Sequence, residues 1–271
     1  MNWAARLTIL LIGVLLVMTN CRFTPQYLPE AGGNTLTAVP FGESGCPFGF
    51  YEYLPEGYGL DSTIKYPLLI FLHGAGERGD SEQDPEELDK LLTTGLPALI
   101  RVGQFDPPEP MIVLALQANI GFDQNNLHKA MKWAHKTYLA NPSRTYMTGL
   151  SMGAYATYRY LGSYGKRSLV AAAVVICGGA PVERANRIGQ TPLWIFHGNA
   201  DEIVPVSESF EIAKALGDQA EVKPFNLSIY PGVDHRSWDM TYDGTGMGKE
   251  DPDYDRFDKD IYSWMLQYRR D

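Results

Sequence analysis

The stretch RTYMTGLSMGAYATYRYL, residues 144–161, passes from a β-branched and aromatic segment through a serine into a run of small, helix-forming residues. Its centre, Gly149-Leu150-Ser151-Met152-Gly153, has the spacing GxSxG, with a strand pattern before it and a helical pattern after it. A serine at such a strand-to-helix turn stands exposed at the end of a sheet instead of lying buried within it. The flanking glycines fit a turn so sharp that neighbouring backbones leave no room for a Cβ. The helix that begins there aims free N–H groups at the same point, which suits an atom that acquires negative charge.

A serine hydroxyl is a weak nucleophile at neutral pH. It needs an imidazole to take its proton and a carboxylate to orient that imidazole. On this type of turn the chain order is Ser, then the acid, then His. Downstream of Ser151 there are only His197 and His235. His197, in PLWIFHGNADEIVP, ends a strand four residues before Asp201 and reads as a group that holds its own loop, with Asp201 as the acid. His235 lies in PGVDHRSWDMTY, after the strand pattern FNLSIY, and can hang over the sheet's edge from the far side. Ser151, Asp201 and His235 are therefore the expected nucleophile, acid and base, carried on three successive strand ends. Asp234 is the rival acid, although adjacent residues rarely orient each other's side chains well. The oxyanion of a tetrahedral intermediate needs two donors. Met152 N–H is one, and Ala75 N–H in PLLIFLHGAGERGD is the favoured second, with Gly74 and Gly76 open as alternatives and His73 orienting that turn.

Around these segments, apolar runs of strand length alternate with helical patterns from Tyr51 onward, the mark of an α/β domain with a mostly parallel sheet and helices on both faces. The strands are GFYEYL, PLLIFLHG, MIVLALQ, RTYMTG, LVAAAVVI, PLWIFHG and FNLSIY, nearly all apolar, as strands covered on both faces should be. Helices are expected over 123–139 and 206–216, with a last one over 253–270 that sets Tyr254, Phe257, Ile261, Trp264 and Tyr268 along one stripe. His128 and His135, two turns apart on the first of these, are expected to face solvent.

The chain has 271 residues and a formal charge of −9, with no stripe of Lys and Arg, which argues against a nucleic-acid partner. The opening MNWAARLTILLIGVLLVMTNC carries an apolar run from Leu7 to Met18, too short to span a bilayer, and reads as an export signal over residues 1–20. Cys21 directly after it resembles the lipidated cysteine of bacterial lipoproteins, although Asn20 stands where a small residue is usual. The expectation is an exported chain of the bacterial cell envelope, anchored to the membrane only through Cys21, or else secreted. Residues 21–45 serve as a tether and edge segment or a disordered tail, and 46–271 form the catalytic domain. Cys46 and Cys177 read as buried free thiols.

Taken together, YLPEGY, FLHGAGERGD, GLSMGAYATY, HGNADEIVP and DHRSWDMTY resemble the serine hydrolases of α/β-hydrolase fold related to dienelactone hydrolase, feruloyl and acetylxylan esterases and polyhydroxybutyrate depolymerases, over roughly residues 48–268. The resemblance implies a Ser-His-Asp mechanism on carboxylic esters with no cofactor and no metal. A serine peptidase of the same fold and a non-catalytic carbohydrate-binding lipoprotein are the alternatives. Ala154 stands where relatives often have another glycine, and its methyl would crowd the helix start. Only residues 178–191 separate two strands where lid domains are commonly inserted, so the cleft should be open and suited to a bulky, polysaccharide-linked ester. Trp238 either walls that cleft as a substrate contact or pins His235. A calcium site in DMTYDGTGMGKEDPD is a minor reading, since no regular oxygen-ligand spacing is evident.

Overall fold

The structure is a computed structural model that describes residues 27–270. The export-signal and Cys21 expectations lie outside those residues.

Eight strands form one sheet: β1 (Thr35–Val39), β2 (Gly49–Leu54), β3 (Tyr66–Leu72), β4 (Ile112–Gln117), β5 (Ala140–Leu150), β6 (Ala172–Ile176), β7 (Leu193–Gly198) and β8 (Phe225–Tyr230). Their order is β1-β2-β4-β3-β5-β6-β7-β8. The β1/β2 and β2/β4 pairs are antiparallel, and every other pair is parallel. Alternation along β3 shows how the sheet is covered twice: Leu68, Ile70 and Leu72 enter one apolar core, while Leu69 and Phe71 enter the other.

The first core is closed by α2 (Gln124–Thr137), α3 (Met152–Tyr164), α4 (Ala185–Ile188) and α5 (Ser207–Gly217), and the second by α1 (Gly95–Arg101), α6 (Trp238–Tyr242) and α7 (Ile261–Met265). Asp123 starts α2 by accepting from Asn126 N–H at 2.9 Å. On this helix His128 stacks on Tyr164 with ring centroids 4.2 Å apart, and His135 Nε2 meets Thr145 Oγ1 at 2.7 Å. Both imidazoles are half-buried, because α2 lies against α3 and β5 along that side, so the expectation that they face solvent fails.

The long C-terminal helix is shorter than its apolar stripe predicts. Asp255 is diverted to the exposed edge of β8, where its carboxylate accepts from Leu227 N–H at 2.8 Å and its own N–H donates to Leu227 O at 2.8 Å. Asp260 then caps a new helix through Ser263 N–H at 2.8 Å. Tyr254 and Phe257 still pack inward, but from a turn that seals the edge strand.

Between β6 and β7 the chain builds only a 3-10 turn (Val182–Arg184) and the four residues of α4. Among the described residues no lid domain covers the carboxyl ends of the parallel strands.

Candidate active site

Strand β5 ends at Leu150 and α3 begins at Met152, so Ser151 alone makes the turn, at φ 50° and ψ −115°. Positive φ on a residue with a Cβ costs of order 1–3 kcal/mol and persists only where the surroundings enforce it. They do. A Cβ on Gly153 would fall 2.0 Å from Leu72 O, and one on Gly149 would fall 2.4 Å from Gly153 C and O. The Ala154 methyl does not crowd the helix start, because it occupies the space left by Gly178, whose added Cβ would lie 2.4 Å away.

Asp201 lies in the turn after β7, and His235 in the loop after β8. Gly198 lets these two loops touch: a Cβ there would meet Val233 O at 2.2 Å. The result is a continuous hydrogen-bonded chain. His235 Nε2 stands 3.0 Å from Ser151 Oγ, and His235 Nδ1 stands 2.7 Å from Asp201 Oδ2. Asp201 also accepts from Ile203 and Val204 N–H on Oδ1, each at 2.8 Å, and from His197 Nε2 on Oδ2 at 3.1 Å. Burial alone would raise the Asp201 carboxyl, but the His235 hydrogen bond and the two amides outweigh it and hold it below the usual carboxylate range. An ionised Asp201 that accepts from Nδ1–H leaves the Nε2 lone pair facing the serine hydroxyl, the arrangement needed to remove its proton.

Sheet order corrects one expectation. The three side chains come from β5, β7 and β8, not from three successive ends, because β6 lies between the first two. The position at its end is Cys177, buried and also at positive φ, 46°. Its sulfur, a carboxylate oxygen of Asp201 and a ring nitrogen of His235 all lie within 4.8 Å of one another. Only the neighbourhood of β6 in the sheet reveals this; in the sequence Cys177 is the end of an apolar run. Asp234, the rival acid, is exposed and spends its carboxylate on Arg236 N–H at 2.9 Å.

The proposed oxyanion donors sit at two helix starts. Met152 is the first residue of α3, and Ala75 the first of a 3-10 turn (Ala75–Glu77), so no earlier carbonyl within either helix reaches their N–H groups. The Ala75 turn borders the serine, since a Cβ on Gly74 would lie 3.8 Å from Ser151 Cβ. His73 is fully buried; its Nε2 accepts from Ala118 N–H at 3.0 Å, which puts the ring proton on Nδ1, donating to Gly74 O at 2.6 Å. Fixing that carbonyl fixes the planar Gly74–Ala75 peptide, and with it the direction of Ala75 N–H.

Trp238 packs edge-on to the His235 ring with centroids 5.3 Å apart, and its indole N–H donates to Thr94 Oγ1 at 2.8 Å. Beside it a cleft of about 290 Å³ opens between α1 and α6, lined by Thr94, Leu99, Arg236 and Asp239. A larger cavity of about 780 Å³ lies at the other edge of the sheet, against Ala171, Pro192 and Pro224, each just before the start of a strand, so it cannot serve the serine. The aspartates after His235 do not converge: among the described residues the only cluster of three or more metal-ligating side chains is Cys177, Asp201 and His235.

A family model described as the prolyl oligopeptidase family matches residues 179–270, which include Asp201 and His235 but not Ser151. No curated protein matches the sequence. Among solved structures, a thermostable esterase is similar at 25% identity and TM-score 0.61 over 87% of this chain, which spans 63% of that protein's length. The feruloyl esterase module from Clostridium thermocellum, solved with sinapinate, is similar at 16% identity and TM-score 0.57, covering 81% of this chain and 91% of its own. An acylaminoacyl peptidase from Pyrococcus horikoshii is similar at 13% identity and TM-score 0.52, covering 74% and 38%. The chain has the α/β-hydrolase fold, and the solved structures it is similar to are esterases and peptidases.

Proposed function

We propose that the chain is a serine hydrolase of carboxylic esters that works through a covalent acyl-enzyme, with Ser151 as nucleophile, His235 as general base and acid, and Asp201 as the acid that orients it. The observation that carries this reading is the unbroken Ser151–His235–Asp201 hydrogen-bonded chain at the strand ends.

In the first half-reaction His235 Nε2 takes the Ser151 proton as Oγ bonds to the ester carbonyl carbon. The oxygen that becomes negative is met by Met152 and Ala75 N–H. As the carbon–alkoxy bond breaks, Nε2–H protonates the departing alcohol. Water then repeats the sequence on the acyl group, its proton going to Nε2 and onward to Oγ as the acid leaves.

The open edge and the short 178–191 connection favour an ester on the rim of a bulky molecule, such as a substituted polysaccharide, over an enclosed lipid tail. Likeness to feruloyl esterases is in keeping with that class. Trp238 would hold the His235 ring while its edge borders the substrate. The match over 179–270 favours a second reading, a peptidase, which uses the same groups but must protonate a poorer leaving group. We further propose export, with Cys21 as the only membrane attachment.

A parallel panel of p-nitrophenyl acetate, feruloyl, long-chain acyl and peptide substrates tests the reading. Turnover of short acyl or feruloyl esters well above that of peptides supports it. Peptide cleavage with no ester turnover replaces it with the second reading, and a protein that turns over neither while Ser151 stays unreactive is a binding protein.

A further inference from the structure

Along the carboxyl edge the four strands β5, β6, β7 and β8 lie side by side, and each is followed by one chemically active side chain: Ser151, Cys177, Asp201 and His235. Ester hydrolysis uses three of them. Cys177 is left over, yet its sulfur stands within 4.8 Å of both the Asp201 carboxylate and the His235 ring, in a backbone conformation that side-chain-bearing residues seldom adopt. Next to the thiol, Ser237 is fully buried, and its hydroxyl is within hydrogen-bonding reach of the Cys177 sulfur.

Thiolate sulfur, imidazole nitrogen and carboxylate oxygen are the donor set of Zn²⁺ and its softer relatives. We propose that Cys177, Asp201 and His235 form an inhibitory site for a soft divalent cation, which switches the hydrolase off by capturing its base. The proposal rests on the catalytic reading given above for its effect on turnover, but not for binding itself. Bond lengths of about 2.3 Å to sulfur and about 2.0 Å to nitrogen and oxygen require ligand atoms about 3–3.5 Å apart. The ion therefore draws the thiol inward and parts Nδ1 from Oδ2, now 2.7 Å from each other.

The protons balance simply. Cys177 releases its thiol proton to solvent as sulfur binds the ion. The Nδ1 proton of His235 moves to Nε2 as Nδ1 binds, so Nε2 no longer has a lone pair for the Ser151 proton. Ser237 Oγ donates to the new thiolate, while Asp201 keeps its Ile203 and Val204 amides on the oxygen turned away from the ion. Without an ion, burial pushes the Cys177 thiol well up, so it stays protonated and takes no part in turnover.

Two readouts separate the site from the reaction. In the full chain carrying Ser151→Ala, Co²⁺ should produce a thiolate-to-metal charge-transfer band, and adding Cys177→Ser or Cys177→Ala should remove it. In the wild-type chain, Zn²⁺ should block hydrolysis of p-nitrophenyl acetate and a chelator should restore it, while either Cys177 variant, confirmed folded by its melting curve, should need about 100-fold more Zn²⁺. A band in a chain that turns over no ester supports the site and removes only the catalytic reading. No band with Ser151→Ala, or Zn²⁺ inhibition undiminished in both Cys177 variants, overturns the proposal.

Discussion

His197 Nε2 lies 3.1 Å from Asp201 Oδ2, the same oxygen that accepts from His235 at 2.7 Å. His197 is itself pinned, with Nδ1 2.7 Å from Ser209 Oγ and Nε2 2.9 Å from Val204 O. Because Val204 O can only accept, the ring proton sits on Nε2, and a neutral His197 donates toward the acid. Burial lowers its basicity and keeps it neutral. His197→Asn should therefore loosen the acid without touching substrate, lowering kcat on the order of 10-fold to 100-fold with little change in KM. A rise in KM at constant kcat would place His197 in substrate binding instead.

Asp201→Asn offers His235 Nδ1 an amide in place of a carboxylate and allows the wrong tautomer, so kcat should fall by about 10⁴-fold. Asp234→Asn, one residue from the base, should stay within about twofold of wild type, since that carboxylate is exposed and serves only its own turn. Kinetics of the two variants side by side would exchange their roles if the larger loss followed Asp234.

Gly178→Ala drives one methyl against another, 2.4 Å from the Ala154 Cβ. The cost should be about 1–3 kcal/mol, read as a lower midpoint in urea unfolding. Ala154→Gly in the same chain should recover much of that loss, giving a double-mutant coupling energy above about 0.5 kcal/mol. Additive costs would mean that the two positions do not share this space.

Burial drops His73 from its ordinary value of 6.5 to about 4. Between those values the unfolded chain binds a proton here that the folded chain refuses, so stability falls as pH falls through that window and levels off below it. The loss amounts to up to about 3 kcal/mol, and His135, also lowered to about 4, acts in the same direction. His73→Gln should flatten the stability curve between pH 6.5 and 4; an unchanged slope would assign acid lability to other groups.

Much of this was legible in the chain. The GxSxG turn announced itself because strand, serine and helix are contiguous, and seven of the eight strands stood out as apolar runs with turns between them. That Ser151, His235 and Asp201 would meet was legible because loops after parallel strands all open on one edge. Less legible were features set by neighbours distant in sequence. Asp255 looked helical because its bonds to Leu227 and Ser228 depend on the edge of β8. Ala154 looked crowded because Gly178, its partner in space, belongs to another strand's loop. The closeness of Cys177 to Asp201 and His235 was hidden because the order of strands in the sheet, not in the chain, sets it beside them.

The most direct test of the central claim is covalent labelling by a fluorophosphonate, followed by peptide mass mapping. Activation of Ser151 by His235 predicts a single adduct on the peptide carrying Ser151, lost in Ser151→Ala together with ester turnover. Labelling elsewhere, no labelling at all, or a Ser151→Ala chain that keeps more than about a tenth of its turnover would contradict it.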